Sequence, residues 1–335
     1  MKIELQDRWG GIDTIPPIYQ IRDRYQSGNR IYVMREDLLP VAMGGNKVRI
    51  AAEFFEDMRS KGCDVMVAYG NLRSNLCRVI ANQCYMRKIP CYIICSKEET
   101  DEEELGTSNS RMMKLFGAKI VLCGKNNIAD TVEKTMKEIE DGGHKPYYIY
   151  GSKFGTGNEG VAAGAYAKAY GKIKAYEKEH NCPFDYIFHA SGTGATQAGL
   201  ICGHILEKDQ TKVVGILISS RTYERAISII REGVQSYMER TGRTWEEIWE
   251  RELILAADYT KGGYGVCDDE ILSCIRLELQ ENSLPLDPVY TGKAFLGMQK
   301  YIAENEVKDK NILFIHTGGT PLFYDCLTDG LIKMD

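Results

Sequence analysis

With 335 residues, 44% of them hydrophobic and 27% charged, the sequence has the make-up of a globular protein, large enough for two domains or one α/β domain with an insertion. A net charge of −5 excludes a general attraction to nucleic acid or to an anionic membrane surface, so a small anionic ligand needs a local positive site. No apolar run approaches the roughly 20 residues that span a bilayer, and Met1 to Arg8 lacks the apolar centre of a secretory signal, so a cytoplasmic protein is expected.

Residues 1–35 read as an extended arm: Pro16-Pro17 breaks any helix, and Arg30-Ile31-Tyr32-Val33-Met34-Arg35 alternates as a strand does. A Gly44-Gly45-Asn46-Lys47 loop leads into a helix predicted over 48–61, where Val48, Ala51, Ala52, Phe55 and Met58 recur at helical spacing. A strand-then-helix rhythm follows, with strands expected at 65–69, 91–95, 119–122 and 147–150 and helices at 74–87, 108–116 and 129–141. The acidic run Glu98 to Glu104 reads as a solvated loop. The second half continues with helices at 161–179, 195–207, 223–241 and 245–251 and strands at 186–190, 213–218 and 311–316. This alternation predicts two parallel α/β units, with a ligand in the crevice at the carboxyl ends of the strands.

Eleven cysteines are scattered singly, with no Cys-x-x-Cys pair and no closely spaced histidines, so no metal site is expected. Those in apolar runs, such as Cys91 and Cys95, read as small hydrophobes in a reducing compartment.

Three loops carry chemistry. In Gly44-Gly45-Asn46-Lys47 the glycines let a flat ligand lie on the backbone, and a lysine at a loop–helix junction suits a Schiff base with a carbonyl cofactor; alone, the stretch reads equally as a turn before a surface lysine. Ala190-Ser191-Gly192-Thr193-Gly194-Ala195-Thr196-Gln197-Ala198-Gly199 follows a strand and opens a helix, which describes a phosphate cradle or, more plainly, a tight turn. It is neither a Walker loop nor a full Gly-x-Gly-x-x-Gly, so a monophosphate is expected rather than a dinucleotide. In Tyr69-Gly70-Asn71-Leu72-Arg73-Ser74-Asn75-Leu76 a docked carboxylate would meet first-turn N–H groups, a hydroxyl and an amide, although capping alone would explain Ser74.

Together with Asp287-Pro288-Val289-Tyr290-Thr291-Gly292-Lys293-Ala294 and His316-Thr317-Gly318-Gly319, these stretches occur in an order that resembles the D-cysteine desulfhydrase / 1-aminocyclopropane-1-carboxylate deaminase family of pyridoxal-phosphate enzymes. The resemblance covers nearly the whole chain, and five motifs in register make it specific. It implies the tryptophan-synthase-β fold, also called fold type II: two parallel-sheet α/β domains, 1–50 with 160–335 and 51–159, with pyridoxal 5′-phosphate in the cleft between them. Lys47 would form the internal aldimine and carry the α-proton, Asn75 would bond the ring hydroxyl, and Ser74 would bind the substrate carboxylate. Gly192, Thr193, Gly194, Ala195 and Thr196 would hold the phosphate, Thr291 the pyridine nitrogen, and Thr317 would lie by the ring. Tyr264 and Tyr290 would face the substrate and assist proton transfer. The implied reaction is α,β-elimination, D-cysteine giving pyruvate, sulfide and ammonia, because Thr291 stands where ring-opening members carry Glu. Deamination of 1-aminocyclopropane-1-carboxylate, or elimination or replacement on a larger acidic amino acid, are the alternatives, and a homodimer is implied.

Two positions depart from that pattern. Ile50 stands where the family has a second lysine assisting the phosphate, and Arg73 stands where it has Gln. The added guanidinium is expected either to bind a second acidic group of the substrate or to replace the charge missing at Ile50. His189 reads as packing, His316 as a positioning residue, and Trp245 and Trp249 as packing or dimer contacts.

Overall fold

The computed structural model describes residues 14–24, 27–97, 106–243, 253–259, 262–263 and 265–332. The first half contains β1 (Ile18–Ile21), β2 (Arg30–Arg35), α1 (Asn46–Ser60), β3 (Val65–Tyr69), α2 (Asn75–Arg87), β4 (Cys91–Lys97), α3 (Ser108–Leu115), β5 (Lys119–Gly124), α4 (Ile128–Asp141) and β6 (Pro146–Tyr148). There follow α5 (Glu159–His180), β7 (Tyr186–Ser191), α6 (Ala195–Glu207), β8 (Lys212–Leu217), α7 (Tyr223–Arg240), β9 (Ile254–Ala256), α8 (Asp269–Asn282), α9 (Thr291–Glu304), β10 (Asn311–His316) and α10 (Thr320–Thr328).

Two sheets result. The larger has the order β1-β2-β10-β7-β8-β9 and the smaller β5-β4-β3-β6. Every pairing is parallel except that of the edge strand β1 with β2. The central strands are continuous apolar runs because helices cover both of their faces: all six residues of β10 are buried. On the larger sheet α5, α6 and α7 pack together on one face, while α8 and α9 cover the other. On the smaller sheet α4 closes one face over Val65, Val67 and Ile94. One apolar core runs without interruption from β3 and β4 through α1 and α5 to Ile187 and Leu313 of the larger sheet.

The expected strand–helix rhythm is present throughout the described part. The predicted strand 147–150 is shorter, Pro146–Tyr148, which leaves Tyr150 free to turn toward the interior crevice. The helices α8, α9 and α10 and the short edge strands β1 and β9 lie where no element was expected. Helix α9 explains its own omission: it is buried on nearly every side, so it carries no amphipathic stripe. The predicted helix 245–251, with Trp245 and Trp249, and the acidic run lie outside the described residues. All eleven cysteines are free thiols. No helix among the described residues is long and apolar enough to cross a membrane.

The crossing of α5 on α6 is set by a side chain that is missing. A Cβ on Gly203 would stand 2.2 Å from the Cβ of Tyr170. Gly171, on the same α5, has only a carboxylate oxygen of Glu207 near its would-be Cβ, at 3.5 Å. Gly203→Ala is therefore expected to cost about 1–3 kcal/mol through overpacking. Gly171→Ala should stabilise by about 0.5–1 kcal/mol through lost unfolded-state freedom. Urea melts of the two variants check the pair, and equal midpoints would contradict the packing argument.

Candidate active site

The two sheets face each other across a cavity of about 750 Å³ whose wall is built from the residues that follow the parallel strands. Lys47 comes from the start of α1, Tyr69, Gly70, Asn71, Ser74, Asn75 and Leu76 from the end of β3 and the turn into α2, Ser96 from β4, Lys125 from the turn after β5 and Tyr150 from beyond β6. From the larger sheet come Ala190 to Gly194 after β7, Ser219 to Arg221 after β8 and Thr317 to Gly319 after β10. Carboxyl ends of parallel strands are where such folds place ligands, because loop amides and helix amino termini converge there.

Backbone contact fixes the Lys47 loop. The N–H of Gly45 donates to the carbonyl of Glu36 (2.7 Å) and that of Asn46 to the carbonyl of Thr317 (3.0 Å). Gly45 and Gly318 adopt φ values of +96° and +106°, and a Cβ on Gly318 would stand 2.6 Å from the Cα of Gly45. Beneath the loop, both carboxylate oxygens of buried Glu36 accept from Nε of Arg49 (2.9 and 3.0 Å), while Asp37 accepts a forked pair from Arg35 (2.8 and 2.7 Å). Burial pushes the carboxyl of Glu36 upward, against the pull of Arg49.

Lys47 is the second residue of α1, and burial lowers its amine to about 8. The physical consequence is large. At pH 7 about one amine in ten is then neutral and nucleophilic, against about three in ten thousand at the ordinary value of 10.5.

Across the crevice, Ser74 caps α2, its Oγ accepting the N–H of Cys77 at 3.2 Å. Capping uses the oxygen and leaves the hydroxyl hydrogen to donate, so cap and ligand contact coexist. Asn75 opens the helix, and its Oδ1 accepts from Arg78 Nη1 (2.7 Å) and Asn109 Nδ2 (3.0 Å). Its Nδ2 is left as the polar group for the cavity.

The loop after β7, expected to be a phosphate cradle, is a turn of small residues that opens a helix. Gly194 takes a left-handed turn (φ +83°) directly before α6, whose first-turn N–H groups have no partner within the helix. Asn46 Nδ2 donates to Oγ1 of Thr196 at 2.9 Å, tying the lysine loop to the cradle, and Arg221 Nη1 donates to the carbonyl of Gly192 at 2.8 Å. The buried Oγ of Ser219 and Oε1 of Gln197, both in residues of the cavity wall, have no hydrogen-bond partner among the described residues. A small-residue cradle, unsatisfied polar atoms beside it and an amine of lowered basicity fit a phosphorylated aldehyde. The wall also holds Lys47, Lys125 and Arg221 and, among the described residues, no carboxylate.

Lys47, Ser74, Asn75, Gly192, Thr193, Gly194, Thr196, Tyr290 and Thr317 thus share one wall. Ala195, Arg73 and Thr291 are not part of it. Thr291 is fully buried, its Oγ1 donating to Asp287 Oδ2 (2.7 Å) and accepting the N–H of Asp287 (2.8 Å). Tyr264 lies outside the described residues. His189 is buried, its ring bonded to the carbonyl of Ala190 at 3.1 Å and held neutral, with a value lowered to about 4. His316 spans the carbonyl of Pro285 (3.1 Å) and the N–H of Gly318 (3.3 Å), behind the cavity rather than in it. Lys125, Tyr150, Ser219 and Arg221 were not singled out in the sequence. Their shared signal is their place just beyond a strand end.

The chain matches the family model described as pyridoxal-phosphate dependent enzyme over residues 15–318. It is 29% identical over 302 residues to a probable 1-aminocyclopropane-1-carboxylate deaminase of Cryptococcus neoformans, which spans 87% of this chain and 85% of that protein. It is 28% identical over 303 residues to a D-cysteine desulfhydrase of Klebsiella pneumoniae, covering 89% of each chain. A crystal structure described as an ACC deaminase homologue superposes with a TM-score of 0.83 at 28% identity, over 96% of this chain and 94% of that one. The lysine-bearing loop, the cradle and these matches lead to one conclusion: the chain belongs to the pyridoxal-phosphate-dependent enzymes, with the fold type II architecture.

Proposed function

We propose that the protein is a lyase that eliminates a β-leaving group from a small amino acid, D-cysteine or a close analogue, releasing a keto acid and ammonia. The observation that carries this reading is the buried amine of Lys47, lowered to about 8, in the same wall as Ser74 and Asn75. The names of the relatives support the substrate class.

When bound, pyridoxal phosphate supplies an electron-withdrawing ring conjugated to the substrate nitrogen, which acidifies the α-hydrogen. Lys47 would attach it, the cradle Gly192 to Thr196 would hold its phosphate and Asn75 would donate to its ring oxygen. The first turn of α2 and the Ser74 hydroxyl orient the substrate carboxylate. Lys47, as a free amine, takes the α-proton. Tyr290, with Tyr264, gives a proton to the departing thiolate. In this reading 1–50 with 160–335 form the cofactor-holding domain and 51–159 the smaller one, in a cytoplasmic homodimer.

One observation favours a second reading of the substrate. Arg221 and Lys125 stand in a wall that holds no carboxylate among the described residues, so an amino acid whose leaving group carries its own negative charge fits the cavity. Arg73, the residue expected in that role, is not in the wall.

Lys47→Ala should lower turnover by at least about 10³-fold and abolish borohydride labelling of the Lys47 peptide; retained keto-acid release would remove Lys47 from the mechanism. Capture of the cofactor by the apoprotein should speed up with pH about fivefold between 7 and 8 and level off above 9, because only the neutral amine reacts. Stopped-flow absorbance checks this, and a rate still climbing steeply at pH 10 would contradict it. Arg221→Ala should raise KM about tenfold or more for amino acids with anionic leaving groups and leave D-cysteine within about twofold. Equal losses on both substrates, together with weaker cofactor binding, would assign Arg221 to the phosphate instead.

A further inference from the structure

The largest fully buried side chain among the described residues is a cation, Arg78. Its hydrogen bonds go to three neutral oxygens: Nη1 to Asn75 Oδ1 (2.7 Å) and Asn109 Oδ1 (2.9 Å), and Nη2 to the carbonyl of Gly44 (3.3 Å). Its Nε has no partner, and no carboxylate is bonded to it among the described residues. Burial without a counter-charge is costly, and burial lowers even this guanidinium to about 10, which still leaves it charged at neutral pH. Packing alone does not account for it, since methionine would fill the same space without the penalty.

The position of the charge does account for it. Gly44 lies three residues before Lys47, and Asn75 is in the cavity wall, so one guanidinium joins the lysine loop to the opposite side of the crevice. Asn109 completes the arrangement: its Nδ2 donates to Asn75 Oδ1 (3.0 Å) and to the carbonyl of Arg73 (2.7 Å). With two donors fixed on Oδ1, the Asn75 amide cannot flip, and Nδ2 is the only part of it free to meet a ligand. Donors on the oxygen also polarise the amide and strengthen its N–H as a donor.

We propose that Arg78 is a positioning residue for the cofactor: through Asn75 it holds an N–H donor on the ring oxygen and keeps that oxygen anionic, and its charge disfavours a proton on the nitrogen that Lys47 contributes. This rests on the reading of Lys47 as the attachment point. A positive charge and a firm donor act in the same direction here. Both make the linked nitrogen a weaker base, so less of it is protonated at a given pH.

The test is a pH titration of the visible absorbance of purified holoenzyme, wild type against Arg78→Met, with thermal melts of both. The apparent pKa of the Lys47–cofactor nitrogen should rise by roughly one unit in Arg78→Met, the size expected for losing one interior charge nearby. Turnover should fall about tenfold, while the melting temperature holds or rises because an uncompensated buried charge is gone. A folded Arg78→Met that titrates as wild type overturns the proposal and leaves Arg78 a structural tie. Where Arg78→Met does not fold, Arg78→Gln decides: it keeps a polar group but removes both the charge and the bridge from Asn75 to Gly44, so its titration must also move upward, and a wild-type curve overturns the proposal equally. Borohydride reduction with peptide mapping separates the two readings. Label on another lysine defeats the assignment of Lys47, whereas label on Lys47 with an unmoved titration defeats only the role of Arg78.

Discussion

The crevice depends on two loops of one sheet meeting backbone to backbone. The turn that precedes Lys47 and the turn after β10 touch at Gly45 and Gly318 with no room for a Cβ, and the bond from Asn46 N–H to the Thr317 carbonyl closes the contact. Because β2 and β10 are neighbours in parallel register, both loops leave the sheet at the same height. The lysine is therefore placed by strand pairing and not by a flexible tether, and the cradle is brought to it through the bond from Asn46 to Thr196.

Such a loop exposes its own polar backbone to the interior, and ionised side chains support it from below. Glu36 with Arg49 and Asp37 with Arg35 are buried pairs, each with two hydrogen bonds. Buried pairs of this kind add little net stability, since desolvation offsets their attraction, but removing one partner leaves a stranded charge. Their effect is directional. They hold the Glu36 carbonyl where it accepts the Gly45 N–H, which fixes the angle at which the chain enters α1.

Much of this could be read in the sequence, and for identifiable reasons. Strands covered on both faces are unbroken apolar runs, so β3, β4, β7, β8 and β10 declared themselves, and the helices between them declared themselves by their stripes. Glycine-rich loops at strand ends gave the lysine, the cradle and the Ser74-Asn75 turn, because close backbone approach demands small residues. What was hidden depends on contacts distant in sequence. Arg78 reads as an ordinary residue of an amphipathic helix; only the fold places Asn109 and Gly44 against it. Arg73 drew attention by its charge, yet the cations in the wall besides Lys47 are Lys125 and Arg221, contributed by loops of two different sheets. Thr291 shows a similar limit: the motif located it, but its hydroxyl turns inward to Asp287.

The dry setting of Lys47 also acts on the folded chain as a whole. An amine displaced from 10.5 to about 8 opposes folding by about 3 kcal/mol at any pH below 8, and that opposition fades as the pH climbs toward 10.5, where the unfolded amine also sheds its proton. The folded chain is thus held uphill by the same burial that makes this amine nucleophilic, so stability and reactivity draw on one and the same atom.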